Sequence, residues 1–165
     1  MGPPTNPVRF SSLLERSETS ADQARESEAV AWVRRKLQDH GNWKFGLDAK
    51  ERKTLASLSD DECATAVTII GETLNGSLQY WEFSICTKIL KTLGSRAHAI
   101  VPILSQPKFL RHEHEGWRTF SIQVLGLIGP GAHGSIPLIK ASLSDPERTV
   151  REAAEVALKQ IESGR

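Results

Sequence analysis

The sequence predicts an all-α fold of stacked helix pairs, on three observations. The first is a self-similarity about 35 residues apart in the last hundred residues. Leu93-Gly94, Ala97-His98 and Val101-Pro102-Ile103-Leu104 are echoed by Ile128-Gly129, Ala132-His133 and Ile136-Pro137-Leu138-Ile139. Such a period marks supersecondary units that bury their apolar faces against one another, which yields a surface rather than a closed pocket. The second is apolar residues recurring every three or four positions along long stretches. The third is the lack of any β-type alternation.

Each element follows in order. Residues 1–18 carry Pro, Ser and Thr and few apolar groups, so a mobile tail is expected there. A first helix is expected to open near Ser20, with Gln23 completing a capping box, and to end at Gly41. Its apolar face comprises Val30, Ala31, Trp32, Val33 and Leu37. An apolar connector over 42–47 leads to a second box, Asp48 with Glu51, and a short helix to about Leu58. These two helices, within 19–58, are read as an N-terminal cap on the repeat domain 59–165.

Ser59 and Glu62 form a third capping box, and Ala64, Val67, Ile70 and Leu74 give helix 61–74 its face. Asn75-Gly76 makes the turn, with Ser77 a candidate cap for the next helix. Helix 78–93 shows Leu78, Trp81, Ile85, Cys86, Ile89, Leu90 and Leu93 as one stripe. The pair recurs as 97–105 with 113–128, then 132–144 with 146–162. Asp145-Pro146 reads as a helix start, because Asp caps well and Pro is tolerated at the first helical position.

The totals restrict function more than they identify it. The chain has 165 residues, 39% apolar and 25% charged, with a formal net charge of +1, so no global field recruits nucleic acid or an acidic membrane. No apolar run has the length of a membrane span, and no basic-then-apolar leader opens the chain. Cys63 and Cys86 read as reduced thiols of a cytoplasmic protein. Asn75-Gly76-Ser77, without a secretory signal, is a turn rather than a glycosylation site.

The last repeat carries a family signature. Leu127-Ile128-Gly129-Pro130-Gly131-Ala132, Ile136-Pro137-Leu138-Ile139, Asp145-Pro146, Val150-Arg151-Glu152-Ala153-Ala154 and Ala157-Leu158 together resemble a HEAT repeat of the short, bacterial, phycobilisome-lyase-like kind. The resemblance covers 95–162 well and 59–94 loosely. It implies a short right-handed α-solenoid of about three HEAT-like helix pairs, with the second helices lining the concave side. It also implies a proline kink in each first helix, at Pro102 and Pro137; Thr68 stands there in the first repeat, which should therefore run straighter. It further implies a polar ladder between repeats, an Asp in the turn and an Arg early in the second helix. Asp145 and Arg151 match both, and Arg118 matches the middle Arg. The middle turn, 106–111, is two residues longer and has no Asp, so Asp145 is left to serve both arginines.

No catalytic set or phosphate loop is present, so an enzyme is not expected and no cofactor is implied. His112-Glu113-His114-Glu115 lacks metal-ligand spacing and reads as a polar helix start, so no metal is expected. His98 and His133 recur at equivalent places and read as structural. The expected function is a protein-interaction or scaffold module. Removing the buried stripe from the second helices leaves Phe83, Arg118, Ile122, Arg151 and Glu155 as the contact residues for a protein partner on the concave face. For Phe83 and Ile122, cover by the N-terminal helices is the competing reading. Arg34-Arg35-Lys36 and Arg52-Lys53 raise a nucleic-acid-binding alternative, which intervening acidic residues weaken. A lyase-type subunit is the weaker alternative.

Overall fold

The structure is a computed structural model, and it describes residues 27–39, 46–76 and 79–164. The expected tail, the Ser20–Gln23 cap, the Gly41 stop, most of the connector and the Ser77 cap lie outside the described residues. The described residues are mostly helical and contain no strand.

Helix α1, Glu28–Gln38, is capped by Ser27, whose hydroxyl accepts from Val30 N–H at 3.3 Å. Helix α2, Ala49–Ala56, opens on the reciprocal box of Asp48 and Glu51, and α3, Asp60–Asn75, on that of Ser59 and Glu62. Both boxes satisfy backbone donors that a helix start otherwise leaves unpaired. Helix α4, Tyr80–Leu93, begins where the Glu82 carboxylate accepts from Gln79 N–H at 2.7 Å.

At Gly94 the backbone takes φ +56°, a region that favours glycine, and the chain turns into a 3₁₀ segment, Gly94–Ile100. Gly129, at φ +70°, does the same before the 3₁₀ segment Gly129–Ser135. Each segment runs into a short α-helix with proline at its second residue: α5, Val101–Leu104, and α8, Ile136–Ala141. Pro102 and Pro137 therefore start regular helix rather than kink its interior, which is where a missing N–H costs little. Helix α3, with Thr68 at that place, runs unbroken for 16 residues. Its buried face includes Cys63, Ala66, Val67 and Ile70; Ala64, expected in the core, is exposed.

The long middle turn is itself helical. Helix α6, Pro107–Leu110, buries Phe109 and Leu110, and Lys108 Nζ reaches back to the Leu74 carbonyl at 2.9 Å, closing the C-terminal end of α3. Helices α7, Glu115–Ile128, and α9, Arg148–Ser163, follow. Helix α7 packs on α4 on one side and on α9 on the other, so it is the centre of the fold. The helical run Glu115–Ser144 is long and apolar enough to cross a membrane by composition, but half of its most apolar window is buried inside the protein, as in a core helix.

Candidate functional site

Phe83, Arg118 and Arg151 sit three residues into α4, α7 and α9 and mark one equivalent row, continued by Thr87, Ile122 and Glu155. This row was expected to face a partner. In α4 and α7 it faces the next helix instead. Phe83 and Ile122 are wholly buried, Thr87 is buried, and Arg118 is only 8% exposed. Only in α9, where no described helix follows, does the row reach solvent: Arg151 is half-buried and Glu155 exposed. In α4 and α7 this row is therefore core rather than surface. Part of the cover on Phe83 comes from α7 and the long turn. Its ring lies 4.2 Å from that of Trp117 and nearly parallel to it, with Phe109 of the long turn stacked at 5.9 Å.

Arg118 is a cross-link. Its Nε and Nη2 donate to the two Asp145 carboxylate oxygens at 2.8 Å each, and Nη1 donates to the carbonyls of His112 and Glu113. Such a two-pronged pair fixes geometry as well as charge. Arg151 repeats half of this pattern, donating to the carbonyls of Asp145 and Pro146 at 2.7 Å each. Asp145 does serve both arginines, one through its carboxylate and the other through its backbone. Burial pushes the Asp145 carboxyl up, but Arg118, the Glu147 N–H and Arg151 outweigh it and hold the carboxyl below its usual range.

This pair floors a groove of about 490 Å³ between the turns 105–113 and 138–146, walled by Pro107, Leu110, Leu138 and Pro146. The histidines beside it act locally. His112 Nδ1 accepts from His114 N–H, and His114 Nδ1 accepts from Gly116 N–H, both at 3.0 Å, which caps α7; the His112 ring stacks on Trp117 at 4.2 Å. Among the described residues no group of three metal-ligating side chains occurs. Cys63 and Cys86 are free and buried, and burial pushes both thiols up, away from the reactive thiolate.

Beside the row of Phe83 and Arg118, Lys88 and Gln123 stand at equivalent places and are half-buried, and Leu127 follows one turn later at 40% exposure, while Ser84 and Thr119, one turn before them, are buried. Lys91 Nζ spans the two helices. It donates to Gln123 Oε1 at 2.5 Å and sits 4.6 Å over the half-buried ring of Phe120. Val156, at the corresponding place in α9, is 54% exposed. The signal for this face was in the sequence: Gln123 is the sole polar side chain in the second half of α7, and its equivalent is Lys88. Comparison with protein-family models, with curated proteins and with solved structures finds no match to this chain.

Proposed function

We propose that the chain is a non-enzymatic protein-interaction module of the HEAT-repeat kind, working in a reducing cytoplasmic setting, and that its partner docks on the solvent side of α4, α7 and α9. The observation that carries this reading is where large apolar groups reach solvent. Of the five that do so among the described residues, Tyr80, Leu127 and Val156 belong one each to these three helices. Large apolar groups exposed one on each of three packed helices suit a partner laid across them. The HEAT-like reading is supported by the recurrence of glycine at positive φ, 3₁₀ segment and proline-started helix in both later units. It is also supported by the arginine that binds carbonyls five and six residues before it in both α7 and α9.

The test is a photo-crosslinking amino acid placed singly at Leu127, Val156 and Leu138 in the native host. The expected result is one shared adduct from Leu127 and Val156 and none from Leu138, which walls the groove. An adduct from Leu138 alone would move the site to the groove.

A further inference from the structure

Charge in the first half of the molecule is sorted by helix. Helices α1 and α2 each carry three cations and one carboxylate, and α4 carries Lys88 and Lys91 with Glu82 alone. Helix α3 carries four carboxylates and no cation. Two of the three carboxylates on the basic helices are already engaged. Glu51 accepts from Lys36 at 2.7 Å and from Asp48 N–H at 2.8 Å, and Glu82 caps α4. Helices α1, α2 and α4 are therefore each net cationic, and α4 belongs to the face proposed above.

Lys91 is the informative residue. Its ammonium is held between two helices by neutral groups, an amide oxygen and an aromatic face. Burial, and then the neighbouring Lys88, push its pKa down, and burial with Lys36 does the same to Lys88. A half-buried cation held by neutral groups is a costly arrangement that an arriving anion relieves.

We infer that the partner presents an acidic segment with interspersed apolar side chains, its carboxylates on Lys88 and Lys91 and its apolar groups on Phe120 and Leu127. The inference rests on the docking face proposed above and names the chemistry that the face takes. A polypeptide fits better than a phosphate backbone. The net positive charge lies on the α4 side of the face. One helix spacing away, roughly 8–10 Å, come Phe120, Gln123 and Leu127, which bear no charge. Further on, α9 carries equal numbers of cations and carboxylates, with Arg148, Arg151 and Lys159 against Glu152, Glu155 and Glu162. A phosphate track asks for one sign along its length.

The test uses the full chain, isotope-labelled, titrated at low salt with a synthetic peptide of three Glu-Glu-Leu-Leu units, with its Gln-Gln-Leu-Leu counterpart and with oligothymidylate. The expected result is amide shifts at 84–92 and 119–127 with the acidic peptide. The affinity should fall with added salt and be about tenfold weaker in a Lys88→Gln, Lys91→Gln variant whose circular dichroism is unchanged. Equal binding of the Gln peptide on those residues would overturn the acidic inference and leave the docking face standing. Shifts confined to 105–113 and 138–146 would overturn the docking face itself. Tighter binding of oligothymidylate at Lys88 and Lys91, or no binding of the acidic peptide, would also overturn the inference.

Discussion

Positions 83 and 118 are equivalent, yet they join successive helices by opposite chemistry. At the α4–α7 junction Phe83 enters an aromatic stack with Trp117 and Phe109. At the α7–α9 junction Arg118 binds Asp145 through two hydrogen bonds, and the helices close on small residues. A β-carbon added at Gly126 would meet Gln160 Oε1 at 2.5 Å, Ala157 Cα at 2.8 Å and Ala157 Cβ at 2.9 Å, so the two helices approach closely at this glycine and alanine. The aromatic junction needs a filler, and the two extra residues of the long turn supply it as Phe109. The polar junction needs an acceptor, and Asp145 supplies it. One row along successive helices can thus be apolar or charged, provided that the next turn changes with it.

The largest effect should come from breaking the aromatic junction. Phe83→Ala is expected to cost about 3–5 kcal/mol, the range for emptying a fully buried aromatic site. Urea unfolding at neutral pH measures it. A loss under about 1 kcal/mol would mean that Trp117 and Phe109 close over the gap and that the stack is not the joint.

Next in size is the polar junction. Asp145→Ala leaves Arg118 buried without its acceptor. The expected cost is about 3 kcal/mol, the low end for a broken buried pair, because Arg118 keeps its two carbonyls. The pH dependence follows from the lowered Asp145 carboxyl. A carboxyl held below its unfolded value stabilises fully above that value, about 3.9, and loses the contribution as pH falls through the folded value. The gap between native protein and Asp145→Ala should therefore be complete at pH 7 and shrink below about pH 4. A gap that stays constant down to pH 2 would mean that ionisation of the Asp145 carboxyl is not what stabilises the junction.

These junctions also mark what was legible in the sequence. The helical stretches were, with the Asp48–Glu51 and Ser59–Glu62 boxes, because apolar spacing and capping act locally; the starts of α1 at Ser27 rather than Ser20 and of α9 after Glu147 rather than Asp145 were not. The Arg118–Asp145 link was half legible, since no Asp precedes Arg118 and Asp145 was the acceptor left over. The face was not. Phe83 and Ile122 are as apolar as Ile85 and Leu125, and an apolar residue carries no mark of whether solvent or a neighbouring helix covers it. The helix phase was decided by Lys88 and Gln123, whose polar groups must reach water or a partner. The 3₁₀ segments were also missed. Their cause is a glycine at positive φ directly after each long helix, which continues the chain as helix in a new direction.

A smaller change sharpens the comparison from the small-residue side. Gly126→Ala should push α7 from α9 and cost about 1–2 kcal/mol by overpacking. Alanine at the equivalent place in α4, Lys91→Ala, meets no such wall and should cost less. Thermal unfolding of both variants side by side checks the order, and a reversed order would mean that the Gly126–Ala157 approach is not tight.

The smallest effect concerns Arg151, which has the first half of Arg118's bonding and lacks the second. It donates to the carbonyls of Asp145 and Pro146, which lie at the turn into α9, and among the described residues no further unit offers it a carboxylate. The side chain is half-exposed, so water replaces much of what a substitution removes. Arg151→Gln should therefore lower global stability by less than about 1 kcal/mol, against about 3 kcal/mol for Asp145→Ala. The local effect should be clearer than the global one. Hydrogen exchange at 148–152 should quicken because the turn before α9 loses its tie, while 153–161, buried against α7, should hold its protection. If exchange at 148–152 is unchanged, Arg151 is a solvated charge. If protection is lost as far as Ile161, the arginine anchors the whole helix, and the two halves of the Arg118 pattern carry equal weight.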